Sequence, residues 1–308
     1  MHRVLRIDTL PTAANYVPPP LPEPIAVALG ELDMSKSEAA KVEVLITSAS
    51  RGASAEIMAL FPNLRLVANF GVGLERIALP YARSRNIAVS YTPNLLTDDV
   101  ADLAITLTLN LLRRIPQAMR YVSAGQWGEA SLPLATSPRG KKLGIFGYGQ
   151  IGHAIARRAV VFGFNVGVCT RTTHGVALPT FATPTQLAAW ADVLILSAPG
   201  GPETEGVVGM PVLQALGPQG YLVNIARGSL VDETALAEAL TKGLIAGAAL
   251  DVFKQEPHTG ALSGLPHILC TPHIGSATVD TRAAMADRVY TEVIRALAGQ
   301  PPLYPVPR

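Results

Sequence analysis

The sequence predicts an α/β protein of two domains, one of them a doubly wound parallel sheet, on three observations. Its 308 residues exceed one ordinary domain. Short β-branched runs alternate with helical stretches along the chain, the rhythm of a parallel sheet with crossover helices. A G-x-G-x-x-G turn, Gly147-Tyr148-Gly149-Gln150-Ile151-Gly152, follows a strand and opens a helix. Hydrophobic residues make up 49% and charged residues 16%, which is ample material for two cores and unlike a disordered chain. Two domains that share an interface predict a cleft between them.

Residues 4–7, 42–47, 64–69 and 87–90 read as strands bounded by polar, Pro or Gly punctuation. Pro18, Pro19 and Pro20 form a stiff loop to which no function is given. Residues 98–114 begin with acidic residues and end on two arginines, the charge order that complements a helix dipole, and this helix opens the second domain. A loop with Trp127, Pro133 and Pro138 leads to Lys141 and Lys142. Strands then follow at residues 143–146, 166–169, 193–197, 221–225, 246–250 and 268–271, six in number, as a doubly wound sheet requires. Residues 277–299 carry apolar positions at helical spacing and are expected to cross back onto the first domain, making it discontinuous. No solenoid repeat or low-complexity tract interrupts this pattern.

Several partners are excluded by composition. A net charge of +2 with scattered basic residues leaves no footprint for nucleic acid or an anionic membrane. Residues 1–10 lack the apolar core of a signal peptide. The apolar run 103–112 is broken by Thr106, Thr108 and Asn110 and is followed by Arg113 and Arg114, so it falls short of a membrane span. Cys169 and Cys270 are the only cysteines, without zinc spacing, so no metal is expected and a reducing cytoplasm fits.

The glycine turn points to a dinucleotide. Gly147 permits the tight turn, Gly149 lets backbone approach a pyrophosphate, and Gly152 allows close helix packing over free amide donors. NAD-binding turns usually carry an acidic residue about twenty positions on, where its carboxylate meets the ribose hydroxyls. Here that position is Thr170, within Cys169-Thr170-Arg171-Thr172-Thr173. Arg171 brings a guanidinium suited to a 2′-phosphate, which favours NADP(H) and leaves NAD(H) possible; the alternative is a solvated charge beside a dual-specificity site.

Three later segments each end a strand of the same sheet: Asn224-Ile225-Ala226-Arg227-Gly228, Leu250-Asp251-Val252-Phe253 leading to Glu256-Pro257, and Thr271-Pro272-His273-Ile274-Gly275-Ser276. Ligands of doubly wound sheets bind at the carboxyl ends of the strands, so all three converge on one place. Reducing a 2-keto acid needs a cation to hold the carboxylate and polarise the ketone, and an acid to protonate the alkoxide. Arg227 and His273 supply that pair. A carboxylate beside an imidazole orients it and favours its protonated form, and Glu256 is the nearest candidate.

In order and spacing these motifs resemble the signatures of the D-isomer-specific 2-hydroxyacid dehydrogenases. The resemblance extends to Asn69-Phe70-Gly71-Val72-Gly73-Leu74-Glu75-Arg76-Ile77, similar to the family's substrate loop, with Glu75 where the family usually has Asp and Asp102 where it usually has Glu. It implies a Rossmann nucleotide-binding domain of residues 96–281 and a discontinuous flavodoxin-like α/β substrate domain of residues 1–95 and 282–308. It further implies that amides of Val72 and Gly73 bind the substrate carboxylate, that Arg227 binds substrate, and that His273, paired with Glu256, donates the proton. Asp251, the backbone of Ile225 and Gly275 would hold the nicotinamide carboxamide, with Val100 against the ring. Gln150, Ile151, Thr172, Ala198, Pro199, Ala226 and Ser276 complete the implied cofactor contacts, and Arg227 and His273 belong to them as well. His2, His153, His174, His258 and His267 lack a motif context and read as structural or solvated.

The short chain and Arg171 resemble the NADPH-dependent glyoxylate and hydroxypyruvate reductase branch. Two other readings stand beside it: a dehydrogenase for a bulkier 2-hydroxy acid, and a dinucleotide-sensing binding protein of the corepressor kind. The family implies a homodimer built through the nucleotide domain; the apolar helix at 103–112 is a candidate contact, although a buried core helix would read the same way.

Overall fold

The first four strands are aliphatic runs, and each pairs in parallel with the next. They are β1 (Val4–Arg6), β2 (Val44–Ser48), β3 (Leu66–Phe70) and β4 (Ala88–Ser90), joined through the short helices α1 (Lys36–Ala39), α2 (Ala55–Ala59) and α3 (Leu79–Ser84). Every residue of β2 and β3 is buried, because both sheet faces are covered. Ser35 closes a capping box on α1 and the Ser54 hydroxyl accepts from Ile57 N to start α2. Leu45, Met58, Phe61 and Val67 form the centre of this core. The computed structural model describes residues 3–19, 35–128, 131–172, 174–258, 260–265 and 267–306; His2, Pro20 and Thr173, singled out above, lie outside these.

The chain continues through α4 (Thr97–Arg113) and α5 (Ile115–Ser123) into β5 (Lys142–Phe146), α6 (Gln150–Val161), β6 (Asn165–Cys169), β7 (Thr180–Phe181), α7 (Pro184–Trp190) and β8 (Val193–Leu196). It goes on through α8 (Met210–Leu216), β9 (Tyr221–Asn224), a 3-10 turn (Gly228–Leu230), α9 (Glu233–Thr241), β10 (Gly247–Leu250) and β11 (Ile268–Cys270), and finishes with α10 (Val279–Leu297). Contacts divide it into two compact units, Met1–Leu96 with Ala277–Arg308, and Thr97–Ser276.

In the second unit the strand order is β11-β10-β9-β8-β5-β6-β7, all in parallel. The order reverses between β5 and β8, the switch point of a doubly wound sheet, and the glycine turn leaves β5 there. All strand ends that carry candidate residues therefore face the same edge. In the first unit the described strands succeed one another as β1-β2-β3-β4, so the reversal of a flavodoxin-type order is not among the described residues.

The structure departs from the expected elements in two ways and decides two further points. A seventh strand, β7, joins the six expected, too short to announce itself as a run. A helix, α5, stands where a loop was expected after Arg114: Arg114 ends α4 in the left-handed region at φ 53°, and Pro116 starts the next helix, where its missing N–H costs nothing. The apolar side of α4, including Ile105, Leu107, Leu111 and Leu112, is buried under the chain's own α6, β9 and β10. Residues 103–112 are therefore core and not a free apolar contact, because the sheet face needs a covering helix there. Finally, Arg158 on α6 pairs with both Asp98 (2.9 Å) and Asp102 (2.6 Å), so Asp102 works as a clamp between two helices.

The helix α10 packs on β3 and β2 of the first unit. Glu292, almost fully buried, accepts from the amides of Leu303 and Tyr304, and Val306 N donates to Val89 O at 2.8 Å.

Candidate active site

The glycine turn is built by its neighbours. Gly147 adopts φ 95°, and a Cβ there would lie 2.5 Å from Ala198 Cα, so only glycine fits. This close approach also sets Ala198 and the following Pro199 beside the turn. Ser197 Oγ donates to Gly147 O at 2.6 Å and holds the peptide in place. A Cβ on Gly152 would strike Gly147 O, so that glycine serves packing too. Gly149 differs: its φ is ordinary at −82°, and a Cβ would meet no atom within 4 Å. Nothing in the protein's own packing requires glycine there, which fits a cradle reserved for a ligand.

Gly149 is also the N-cap of α6 and offers no side chain to the free amides of the first turn, which include Gln150 and Ile151. Twelve residues of helix stand behind them, an anion-binding terminus. Thr97, Tyr148, Gly149, Gln150, His153 and Arg157 line a depression at this point. The Tyr148 and His153 rings stack at 3.7 Å, and His153 Nδ1 lies 2.9 Å from Gly149 O. The residues present thus fit a dinucleotide pyrophosphate. His153, expected to be structural or solvated, props Tyr148 and the Gly149 carbonyl at the rim of this depression, and Arg157 lies one helical turn further on.

At the end of β6, Arg171 Nη1 pairs with Glu203 at 3.2 Å, both side chains more than four-fifths exposed, and Thr172 follows on the surface. An ion pair so open to water is weak and readily exchanged for a phosphate.

The buried side chain of Asn224 holds the Arg227 segment. Its Oδ1 accepts from Ala226 N (3.0 Å) and its Nδ2 donates to Arg227 O (2.9 Å). Ile225 and Ala226 are themselves buried, and Arg227 lays its stem over Gly200, where a Cβ would approach Arg227 Cγ to 3.1 Å. Gly228 packs directly on the Phe253 backbone with no room for a Cβ, which fixes the Arg227 loop against the Glu256 loop.

The Glu256 carboxylate is bonded on both oxygens: Phe253 N donates to Oε1 at 3.0 Å, and His273 Nδ1 lies 2.8 Å from Oε2. A carboxylate only accepts, so Nδ1 carries a proton in this pair and Nε2 is the ring atom left for chemistry. Burial works against the ionised Glu256, but the hydrogen bonds from His273 and Phe253 N and the charges of His273 and Arg227 outweigh it and hold its carboxyl below the usual range.

Asp251, 1% exposed, is the hub behind His273. Its Oδ1 accepts from Thr271 Oγ1 (2.7 Å) and Ile274 N (2.8 Å), its Oδ2 from Gly275 N (2.9 Å), and its carbonyl from His273 N (2.9 Å). These bonds secure His273 at φ 55°, an unusual backbone for a non-glycine residue. Burial pushes the Asp251 carboxyl up, against the lowering effect of those donors and of His273. A Cβ on Gly275 would touch Asp251 Oδ2 (3.2 Å) and Val100 Cγ2 (3.4 Å), so Val100, Asp251 and Gly275 meet, with Ser276 next in the chain.

Val72 and Gly73 belong to the first unit, in the loop after β3. The fully buried Asn69 donates from Nδ2 to Gly73 O (3.0 Å) and Gly71 O (3.3 Å). Thr92 grips the same loop, its Oγ1 accepting from Gly71 N and its own N donating to Gly71 O, each at 3.1 Å. A trans peptide points its N–H opposite its carbonyl, so holding Gly71 O inward turns the Val72 N–H outward.

A parallel sheet with a glycine turn at its switch point, and an imidazole bound to a carboxylate on the loops after the adjacent strands β10 and β11 of the same edge, is the apparatus of a dinucleotide-dependent oxidoreductase. Residues 105–275 match the family described as D-isomer specific 2-hydroxyacid dehydrogenase, NAD binding domain. The glyoxylate/hydroxypyruvate reductase A HPR2 of Arabidopsis thaliana is 43% identical over 86% of this chain and 85% of its own. The 2-ketogluconate reductase of Gluconobacter oxydans is 42% identical over 89% of each chain. A crystal structure of the NADPH-dependent glyoxylate/hydroxypyruvate reductase of Sinorhizobium meliloti, in complex with NADP and malonate, superposes with a TM-score of 0.84 at 40% identity, covering 90% of this chain and 87% of that one. The chain belongs to the D-isomer-specific 2-hydroxyacid dehydrogenase family.

Proposed function

We propose that the protein reduces glyoxylate, hydroxypyruvate or a similarly small 2-keto acid to the D-2-hydroxy acid with NADPH. The observation that carries this reading is the His273 Nδ1 to Glu256 Oε2 bond at 2.8 Å on the edge of the sheet that bears the glycine turn. A bound nicotinamide supplies the hydride. His273 Nε2 gives its proton to the forming alkoxide, while Glu256, bonded to Nδ1, keeps the ring oriented. Arg227 holds the substrate carboxylate and polarises the ketone, with the Val72 and Gly73 amides as further donors. Asp251 and Gly275 hold the carboxamide, Val100 backs the ring, and Gln150 and Ile151 take the pyrophosphate.

The S. meliloti enzyme, described as NADPH-dependent, and the Arabidopsis reductase support the cofactor and substrate class. The Gluconobacter relative acts, by its name, on a longer sugar acid, which keeps a bulkier substrate as the second reading. Initial rates with glyoxylate, hydroxypyruvate and 2-ketogluconate, each with NADPH and NADH, test the proposal. Highest kcat/KM on a two- or three-carbon acid supports it, preference for the sugar acid transfers the assignment to the second reading, and no oxidation of either cofactor returns the protein to a binding role.

The same panel applied to Arg171→Ala reads the cofactor choice. Loss of charge-assisted bonds to a 2′-phosphate raises KM for NADPH by about 10–100-fold and leaves NADH nearly unchanged. Equal losses for both cofactors would show that Arg171 does not read the phosphate.

The protein is further proposed to act as a cytoplasmic homodimer. Among the described residues no helix is long and apolar enough to cross a membrane, and both cysteines are free. Helix α5 buries none of its residues and exposes Met119 (67%) and Val122 (51%), beside Trp127 (80%). An apolar face of this kind marks an interaction surface, and a second copy is the occupant the family implies. Light scattering should give twice the 32.4 kDa chain mass; a monomer that persists at micromolar concentration argues against the dimer.

A further inference from the structure

Two arginines of the first unit, Arg6 and Arg282, each bury an Nε without a hydrogen-bond partner, and Arg282 is the one stacked on the residue that opens the Gly71-Val72-Gly73 loop. The Arg282 guanidinium lies over the Phe70 ring, Cζ 5.5 Å from its centroid, and its buried Nε makes no hydrogen bond. No acidic side chain pairs with it among the described residues. Burial lowers its pKa from the ordinary value, a mark of incomplete solvation around a group that stays charged. It also sits in the first turn of α10, after the N-cap Thr278, where a helix dipole disfavours positive charge.

Its neighbours along the helix show what a structural charge looks like here. Asp287 accepts from Tyr16 Oη at 2.8 Å, Arg288 donates to Pro93 O, Glu292 takes the Leu303 and Tyr304 amides, and Arg295 Nε donates to Pro301 O at 3.0 Å. Arg282 stacks on a ring and makes no comparable bond. Stacking on Phe70 recovers only part of what desolvation costs a cation, and an anion is the usual remedy. Phe70 is the last residue of β3 and is followed at once by Gly71-Val72-Gly73. The loop amides carry partial charge alone, and Arg282, stacked on the residue that opens the loop, brings a full positive charge to it.

We propose that Arg282 is a second substrate-binding cation, which supplies the charge that makes the Gly71-Val72-Gly73 loop a receptor for the carboxylate of a small 2-keto acid. This rests on the functional reading above and adds to it a charged residue of the first unit beside the Gly71-Val72-Gly73 loop. It accounts for a half-buried guanidinium that stacks on a ring in the first turn of a helix, where the dipole disfavours positive charge. The substrate class follows: anionic 2-keto acids bind, while neutral ketones and keto amides of the same size do not.

Arg282→Met tests this, because methionine keeps an unbranched stem over Phe70 and removes the charge. The expected result is a rise in KM for glyoxylate of about 10–100-fold, with kcat within about threefold, KM for NADPH and melting temperature unchanged, and partial recovery in Arg282→Lys. An unchanged KM for glyoxylate overturns the proposal, and so does a parallel loss of NADPH affinity and melting temperature, which would mark a structural role. Equilibrium binding of oxalate to wild type and Arg282→Met, with NADPH present, reads the same charge without turnover. Should wild type fail to reduce glyoxylate yet bind oxalate in an Arg282-dependent manner, the reductase reading falls and this inference stands; equal binding by both proteins overturns it.

Discussion

Replacement of His273 by glutamine is expected to lower turnover by about 10²–10⁴-fold, the usual worth of a positioned general acid, while dinucleotide affinity stays within a few fold. The Nδ1 bond to Glu256 at 2.8 Å and the Phe253 N bond to the other carboxylate oxygen fix the ring in one orientation. Glutamine can hydrogen-bond from that position but cannot give up a proton. The amide that Asp251 holds, His273 N, remains in place, so the loop keeps its path. Loss of NADPH absorbance under saturating keto acid measures turnover, and fluorescence titration measures dinucleotide affinity. Turnover within tenfold of wild type would remove His273 from the proton-transfer step.

The second large effect separates two glycines of one motif. Gly147→Ala forces a Cβ to 2.5 Å from Ala198 Cα at φ 95°, and backbone on both sides cannot yield. Positive φ and overpacking each cost about 1–3 kcal/mol, so a combined loss of about 3–5 kcal/mol of stability is expected. Gly149→Ala meets no atom and an ordinary φ, so its melting temperature stays near wild type while its affinity for the dinucleotide falls at least about tenfold. Thermal denaturation and fluorescence titration of both variants give the comparison. Equal melting temperatures for the two would sink the distinction between a packing glycine and a ligand glycine.

The parts of the site that could be read from sequence are those that end strands. Gly147, Arg227, Asp251 and His273 each follow an aliphatic run, and parallel strands put their carboxyl ends on one edge whatever the sequence distance. The supports were harder to see. Asn224 looks like any polar residue at a strand end until its two bonds to the Ala226 and Arg227 backbone are known. Asp251 was assigned to the cofactor by resemblance; its donors lie 20 to 24 residues away, and no local spacing encodes them. Trp127, Pro133 and Pro138 mark a loop after Arg114, but Pro116 stands in a first helical turn, where proline starts a helix as readily as it ends one, and α5 begins there. Preference among 2-keto acids depends on side chains that come from distant segments, so no motif announces it.

The return of α10 to the first unit sets an order of events on the ribosome. Residues 97–276 form an unbroken unit whose partners are all present once that stretch has emerged. The earlier strands β2 and β3 must wait for a helix made some two hundred residues later before one face of their sheet is covered. Contacts that span so much chain form slowly. The segment translated first is therefore completed last, and the exposed aliphatic face of β2 and β3 during that interval is where a chaperone would have its hold.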